Sequence, residues 1–510
     1  LYEQTVLKDE ETVLMIGEPL TVKYKNYAAL KKYFTDIIPF NISCNYADGY
    51  EDKRPYFDKL LKSHGFKLKD FDTVIVAAAH HAFGIYLNQK GRDFIFMEDG
   101  AGMFSRSESL KKIETGIHKS RGNAAAKLGL FDGSNKYVKE IICDFSRQAA
   151  PFSPPDNALD FSAERALRDI GDEEKEFIIK FFLNKASIDI PKNSAVIFTE
   201  HFANLKIMSF EYQCKIYQYL CDYFLTGYNL AFKPHPDDLL YYGLLFKDAF
   251  IIRERFPAEI LPYVFNNKPS LIAGISTTSI HNIKYAFDNM LSFDEGCRSV
   301  SVIDSFHSYY IALKIIENLG IYKNFIPIGA YMPIIDNMIA FGGIDMAGFH
   351  AETGASLGAS GLFIMDNITD TASKEDIINI LDNADRDSIA VFINSLNDIC
   401  FYHEDRTDIY KHIIPIRIYK ELLRENQVYE DDEPDTIYIW TKNENIKRKI
   451  CAMSIEKTLG YTGIKIKKEA MTEEGLRIAV LEGILEATEK RLIHEIEKNK
   501  KTPENVSAKE

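Results

Sequence analysis

The sequence predicts an α/β protein built from two successive Rossmann-like halves with a cleft between them, followed by a C-terminal α/β extension. Short apolar runs alternate with amphipathic stretches over about residues 10–320, which is typical of parallel sheets covered by helices on both faces. A chain of 510 residues is too long for one core. The pattern changes after about residue 322. We therefore predict domains at 1–160, 161–324 and 325–510.

The first half alternates strands and helices in the order that a parallel sheet requires. Its strands are predicted at 12–16, within 36–42, at 73–77 and at 94–97, and its helical stretches at 27–34 and 55–64. Basic side chains are frequent at 105–112 and 121–127. A proline cluster at 151–155 predicts the crossing into the second half, because proline interrupts helices and strand ladders alike.

The second half repeats the alternation, and the extension continues it with a different spacing. Strands are predicted at 195–199, 229–232, 250–252, 270–273 and 300–303, and helices at 173–183, 210–225, 239–246 and 280–286. In the extension, strands are predicted at 361–365, 389–393 and 436–440, and helices at 411–425 and 472–498. The glycines between 341 and 361 lack the spacing of a phosphate loop.

The composition excludes several classes of protein. The formal net charge of -14 argues against nucleic acid as the main partner, since such a partner favours a strongly basic face. The seven cysteines are scattered without a C-x-x-C pair, so neither a disulfide framework nor a zinc site is expected and a reducing cytoplasm fits best. No apolar run reaches the roughly 20 residues that span a bilayer. The start at Leu1 suggests a processed or shortened chain.

An acid pair follows the strand predicted at 94–97. Glu98 and Asp99 precede Gly100, and glycine permits the sharp turn that leaves a carboxylate at the strand tip. A carboxylate placed there can accept a proton from a substrate hydroxyl. Because Asp and Gly are common in turns, an ordinary acidic turn explains the same residues. The motif alone therefore leaves both interpretations open.

A histidine lies between two prolines in the segment 232–238. Each proline fixes its own φ and pushes the preceding residue into extended geometry, which forbids a helix at His235. A histidine held at the end of a parallel strand faces the edge where α/β proteins bind ligands. His235, followed by Pro236, can serve as an acid, hold a phosphate or be satisfied in a turn. Lys233 adds positive charge, while the acids at 237–238 offset it or begin the next helix.

A hydroxyl cluster follows the strand predicted at 270–273 and comes just after Gly274. Its members precede the helical stretch 280–286 and are Ser276, Thr277, Thr278 and Ser279. Hydroxyls and free N–H groups at a helix start can bind a phosphate without a metal. N-capping alone needs only one of the four. The chain has no dinucleotide or Walker motif.

Two further candidates have weaker support from the sequence. Glu259, in the segment 256–261, can reach the sugar or base of a nucleotide, and a solvated glutamate at a helix start explains it equally well. The pair His80 and His81 ends a predicted strand but has no partner at metal-ligand spacing. We therefore predict no metal site.

Taken in order, three motifs resemble those of the bacterial sialyltransferases of the lipooligosaccharide and capsular polysialic acid type. They read Glu98-Asp99-Gly100, His235-Pro236 and the hydroxyls of 276–279, and the resemblance covers about residues 10–320. The resemblance implies a GT-B fold, an inverting transfer without a metal or a cofactor, and CMP-sialic acid as the donor substrate. It implies nothing about the C-terminal third.

The resemblance also implies a role for each candidate residue. Asp99 is the base that deprotonates the acceptor hydroxyl, and Glu98 is the alternative base. His235 lies against the CMP phosphate, two of the hydroxyls at 276–279 hold that phosphate, and Glu259 contacts the ribose or cytosine. Because the donor is anionic, a locally positive cleft is required inside an acidic protein.

Several alternatives stay open at this stage. Another CMP-linked nonulosonic acid or Kdo would use the same apparatus, and CDP-glycerol glycerophosphotransferases also have a His-Pro element. A non-catalytic sugar- or nucleotide-binding protein is a different class. The expected partners are a CMP-linked donor and a glycan acceptor, without nucleic acid. Contact with the inner face of the membrane and self-association through the C-terminal region are further expectations for a cytoplasmic enzyme.

Overall fold

The structure, a computed structural model, confirms a mixed α/β chain with parallel sheets. It describes residues 2–7, 10–17, 20–21, 26–41, 52–100, 102–117, 119–148, 152–183, 185, 187–246, 248–275, 277–293, 300–320, 324–345, 350–351, 361–366, 374–393, 407–418, 435–453 and 473–500. Within these ranges, no helix is both long enough and apolar enough to cross a bilayer.

The first half contains two parallel sheets. Strands β1 (Val13–Gly17) and β2 (Asp36–Phe40) form a pair. A second sheet has the order β3 (Ile75–Ala77), β4 (Phe94–Met97), β5 (Val138–Cys143) and β6 (Ala158–Asp160). The helices of this half are α1 (Tyr2–Thr5), α2 (Arg54–Ser63), α3 (Ala82–Lys90), α4 (Ser107–Ile117) and α5 (Lys119–Lys127). Residues 27–32, predicted as helical, form a 3-10 helix. Phe57, Tyr86 and Phe96 are fully buried in the core of this half.

The second half forms one five-stranded parallel sheet. Its strands are β7 (Ser194–Phe198), β8 (Asn229–Lys233), β9 (Phe250–Ile251), β10 (Leu271–Ile275) and β11 (Met290–Phe293). Their order in the sheet is β11-β10-β7-β8-β9, which is the doubly wound order of a Rossmann-like domain. The helices are α6 (Ala163–Asp169), α7 (Asp172–Leu183), α8 (Phe210–Phe224), α9 (Tyr242–Leu245), α10 (Thr278–Ile283) and α11 (Val300–Leu319).

The extension contributes a six-stranded mixed sheet. Its strands are β12 (Asn324–Ile328), β13 (His350–Ala351), β14 (Leu362–Met365), β15 (Ile389–Phe392), β16 (Ile413–Ile418) and β17 (Asp435–Trp440), in the order β13-β12-β14-β15-β17-β16. The last two strands run antiparallel to their neighbours. The helices are α12 (Met332–Phe341), α13 (Lys374–Asn383), α14 (Thr407–Tyr410), α15 (Glu444–Cys451) and α16 (Glu473–Lys500).

One hydrophobic cluster joins the second half to the extension. It includes Phe232 and Phe306 from the second half together with Ile334, Ile389 and Ile439 from the extension, all fully buried. Apolar side chains from both parts of the chain are buried together in this one cluster. The extension therefore packs onto the second half through a shared core. The predicted boundary at 324/325 falls within this cluster.

Three sequence-based predictions of elements are wrong. Residues 300–303, predicted as a strand, begin the 20-residue helix α11, and the predicted helix 411–425 contains strand β16. The helix predicted at 239–246 shortens to α9, of four residues. In the first two cases a short apolar run fits the helical period and the strand period alike, and tertiary packing decides between them. Most of the glycine-rich segment 341–361 lies outside the described residues.

Substitution by alanine is expected to have opposite effects on the free energy of unfolding at two helical glycines. A Cβ at Gly84 in α3 would lie 1.9 Å from the backbone oxygen of Ala79, whereas a Cβ at Gly116 in α4 would meet nothing within 4 Å. We expect Gly84→Ala to lower the free energy of unfolding by about 1–3 kcal/mol through overpacking. The control Gly116→Ala should raise it by about 0.5–1 kcal/mol, since alanine restricts the unfolded chain. Denaturant unfolding measures both, and equal effects would contradict the close packing at Gly84.

Candidate active site

The sheet of the second half brings three candidate segments to one edge. Strands β7, β8 and β10 are parallel neighbours, so the residues after their carboxyl ends lie together. These residues are Glu200 and His201 after β7, His235 after β8 and Thr277 after β10. The chain reverses its winding direction between β7 and β10, and the crevice at such a switch point is where open α/β sheets bind ligands.

The turn around His235 is held by local hydrogen bonds. Its backbone N–H donates to Oγ1 of Thr199 at 3.2 Å, and its Nδ1 accepts from the backbone N–H of Asp237 at 3.1 Å. Since Nδ1 is an acceptor, the neutral ring assigned from these bonds has its proton on Nε2. In this neutral form Nε2 is the ring nitrogen that acts as a donor.

His201 is a second histidine at this edge, and the sequence analysis missed it. Its ring stacks on His235 with centroids 3.9 Å apart and planes 16° apart. Burial lowers the pKa of His201, against a smaller opposite effect of Asp237. Its Nδ1 is buried without a hydrogen-bond partner in the described part of the chain. The strand-end rule that selected His235 selects this Glu-His pair equally well.

Glu200, His201 and His235 offer ligand atoms that lie within 4.8 Å of one another, close enough for one cation. The stacking of the two rings limits that possibility. A metal ion lies in the plane of each imidazole that binds it, and two stacked rings whose planes are only 16° apart do not meet at a common ion. As placed, these rings do not bind one ion together.

The half-buried Asp238 holds the same turn through its carboxylate. Asp238 accepts hydrogen bonds from the hydroxyls of Thr199 (2.6 Å) and Tyr242 (2.7 Å), from the amide of Gln213 (3.1 Å) and from the N–H of Leu240 (3.1 Å). Burial raises its pKa to about 6, and the hydrogen bonds oppose part of that rise. The prediction that the acids at 237–238 begin a helix is wrong for this reason, because Asp238 ties the turn to β7 and α8 instead.

The two carboxylates of the acidic turn, those of Glu98 and Asp99, lie in different environments. Glu98 accepts from the N–H groups of Asp144 (2.7 Å) and Gly102 (3.1 Å) and from the amide of Gln148 (2.9 Å). Burial raises its pKa, although these bonds act against the rise. Asp99 is solvent-exposed and has no hydrogen bond or ion pair with the described residues. Surrounding protein nevertheless desolvates Asp99 and raises its pKa.

One charge of the first half, that of Arg147, acts on α10 of the second half. Arg147 lies three residues after Asp144, beside the acidic turn, and its carbonyl would be 2.6 Å from a Cβ at Gly102. Burial lowers the pKa of His281 in α10, and the charges of Arg147 and Lys284 lower it further. The charge of a residue of the first half therefore reaches the helix that follows the hydroxyl cluster.

The segment around α10 is tightly constrained. A Cβ at Gly274 would lie 2.6 Å from Thr277 and 2.7 Å from Ile280, so glycine permits the close return of α10 onto β10. Thr277 is buried, and its hydroxyl makes no capping bond to α10. Glu259 accepts from the amide of Asn282 at 2.8 Å, which places it against the same helix. Ser279 is half-buried, while Ser276 and the side chain of Thr278 lie outside the described residues.

A pocket next to His235 adds two cations that the sequence analysis did not select. It is lined by Pro234, His235 and Pro236, by Arg253 and Arg255 after β9, and by Gly483 of α16. Both arginines are exposed. Their Arg-x-Arg spacing after an apolar run was the signal in the sequence. Lys233, by contrast, is buried and donates to the carbonyl of Phe256 at 3.0 Å.

Comparison with known proteins gives one family match. A family model described as alpha-2,8-polysialyltransferase (POLYST) matches residues 56–290, which include Asp99, His235, Glu259 and the hydroxyl cluster. A solved structure titled "Crystal Structure Analysis of the Glycotransferase of kitacinnamycin" is similar over 58% of this chain and 84% of that chain, at 10% identity and a TM-score of 0.27. No curated protein matches the chain.

The α/β fold with a ligand edge and the family match together define the class of the protein. The match supports a bacterial sialyltransferase-type protein, as the motifs in the sequence suggested. The chain is a glycosyltransferase.

Asp238 predicts an unusual dependence of stability on pH. Its pKa of about 6 lies above its ordinary value of 3.8, so the folded chain binds the proton more tightly and the contribution of this group falls as pH rises from about 4 to 6. We expect the wild type to lose up to about 3 kcal/mol relative to Asp238→Asn over that interval. Thermal unfolding at a series of pH values measures the difference, with Asp237→Asn as the matched exposed control. A difference that does not change with pH would contradict the buried carboxylate.

Proposed function

We propose that the chain transfers sialic acid from CMP-sialic acid to a glycan hydroxyl, with inversion and without a metal. The observation that carries the proposal is the meeting of His235 and Thr277 at the carboxyl edge of one parallel sheet, with Arg147 of the first half near enough to His281 of α10 to lower its pKa. It supports a GT-B pairing in which the two Rossmann-like halves face each other across a cleft. The acceptor base then comes from the first half and the donor-phosphate site from the second.

Asp99 is the acceptor base in this proposal. Its carboxylate is exposed and unpaired within the described chain, so it can accept the proton of an acceptor hydroxyl. Glu98 already accepts three hydrogen bonds and holds the turn in which Asp99 lies. The hydroxyl oxygen forms a bond to the anomeric carbon, the bond from that carbon to the phosphate oxygen breaks, and CMP leaves with the bonding pair.

The leaving phosphate is stabilised from the second half. Nε2 of His235 donates to a phosphate oxygen, and the hydroxyls of Thr277 and its neighbours provide further donors. Glu259 contacts the ribose or cytosine beside α10. Arg253 and Arg255 line the pocket of His235 and supply the locally positive surface that an anionic donor needs in a chain of net charge -14.

The acceptor in this proposal is a glycan that ends in sialic acid, extended through an α2,8 linkage. The description of the matching family names that transfer. Transfer of another CMP-linked nonulosonic acid or Kdo would use the same residues. A CDP-glycerol transfer would need the same His-Pro turn but a different nucleotide.

A thermal-shift panel of CMP, CDP, UDP and GDP compounds separates these functions, since a bound ligand raises the unfolding midpoint. We expect CMP and CMP-sialic acid to stabilise the chain and CDP-glycerol to leave it unchanged. CMP release from CMP-sialic acid should accelerate when a sialoside acceptor is added. Stabilisation by CDP-glycerol alone, or no release with any acceptor, would overturn the proposal.

Substitution of the base tests the proposed roles. Asp99→Ala should lower kcat by about 10²–10⁴-fold while CMP binding stays unchanged, because a general base acts on the acceptor. His235→Ala should lower kcat and also weaken CMP binding. Asp93→Ala is the matched control, since Asp93 is an exposed acid at the other end of β4, paired with Lys139, and it should leave kcat unchanged. Initial rates and CMP titrations measure these effects.

The pH profile gives a second test of Asp99. Its pKa is raised by desolvation, and the base must be deprotonated to act. The acidic limb of kcat/KM should therefore lie above the usual aspartate value of about 4. A profile without that limb, together with full activity of Asp99→Ala, would assign the base to another residue.

A further inference from the structure

Helix α16, of 28 residues, packs onto the second half with its small residues. Ala479 is fully buried, Gly475 is buried, and a Cβ at Gly483 would lie 2.1 Å from the carbonyl oxygen of Leu239. These positions are four residues apart, so they share one face of the helix. That face lies against the segment that follows His235, and Gly483 lines the pocket.

A second face of α16 is apolar and open to solvent. This face, here called the stripe, consists of Ile478, Leu481, Leu485 and Leu492. Their exposed fractions are 44%, 62%, 65% and 59%, in that order. At 100° per residue the stripe spans about 60° of the helix circumference and does not overlap the docked face. Exposed apolar side chains that share one face of a helix indicate an interaction site.

The spacing of the stripe fits one kind of partner. Ile478, Leu485 and Leu492 recur every seven residues, and the intervening positions of the two heptads are Leu481 and Thr488. Heptad spacing of apolar residues on an exposed helix is what two helices need to pack knobs into holes. A copy of the same helix provides the matching surface through a two-fold axis.

We propose that α16 forms a parallel two-stranded coiled coil with α16 of a second copy of this chain. The exposed side chains that flank the stripe select this orientation. Arg477 and Glu482 are five residues apart at the flanking positions, so in a parallel pair each Arg477 meets Glu482 of the other chain. An antiparallel pair would instead bring Glu482 opposite Glu489, which is repulsive. The acidic flank also disfavours an anionic membrane surface as the occupant.

Light scattering coupled to size-exclusion chromatography of the full chain tests the proposal. We expect a mass about twice that of one chain, and the mass of one chain for Leu481→Glu/Leu485→Glu. Because both leucines are exposed, the thermal unfolding midpoint of the diluted variant should match that of the diluted wild type. Leu159→Glu, which changes an exposed leucine of β6, is the control and should leave the mass doubled.

A charge exchange tests the orientation. Arg477→Glu and Glu482→Arg should each weaken the dimer by about tenfold or less, as expected for two exposed ion pairs, and the double variant should recover the wild-type dissociation constant. Failure of that recovery would overturn the parallel arrangement.

Two outcomes would overturn the coiled coil itself. One is a wild-type chain that stays at the mass of one copy at tens of micromolar. The other is a single-copy chain that floats with phosphatidylcholine/phosphatidylglycerol vesicles and loses that binding with the leucine substitutions, which would assign the stripe to a membrane. None of these readouts depends on catalysis, so the inference and the proposed function fail independently.

Discussion

The parallel register of β7 with its two neighbours is the constraint on which the candidate site depends. Phe198 is paired with Lys233 on one side and with Gly274 on the other. Thr199, His235 and Thr277 therefore follow within a few residues of one level of the sheet. A slip of one residue would turn these side chains to the opposite face, and the bond from His235 to Thr199 would be lost. Backbone pairing of buried apolar strands thus positions the polar residues.

Two desolvated carboxylates then fix the turns on either side of the proposed cleft. Glu98 and Asp238 each accept three or more hydrogen bonds, and burial raises the pKa of both. A buried carboxylate is tolerated only when its oxygens are satisfied in this way. Asp99, in the turn of Glu98, is exposed to solvent, and His235, in the turn of Asp238, is partly exposed. Structural and chemical roles are therefore divided between adjacent residues.

The sequence predicted the parallel sheets because strands buried on both faces read as short apolar runs, and β4 was predicted at its observed bounds. It failed at 300–303 and 411–425, where such a run fits helix and strand alike and the shared core decides. Within the site, Pro-His-Pro rigidity pointed to His235, whereas the network of Asp238 joins residues up to 39 positions apart and has no local pattern. The stacking of His201 on His235 likewise depends on strand order, which a single sequence does not state.

We propose that one CMP-linked donor binds between Asp99 and the carboxyl ends of β7, β8 and β10. A crystal structure with a non-hydrolysable CMP-sialic acid analogue tests this most directly, through the distances from the analogue to named atoms. We expect a phosphate oxygen within hydrogen-bond distance of Nε2 of His235 and of the Thr277 hydroxyl. We also expect the carboxylate of Asp99 to face the anomeric carbon on the side opposite the phosphate. A phosphate bound away from His235, or Asp99 remote from the anomeric carbon, would contradict the proposal.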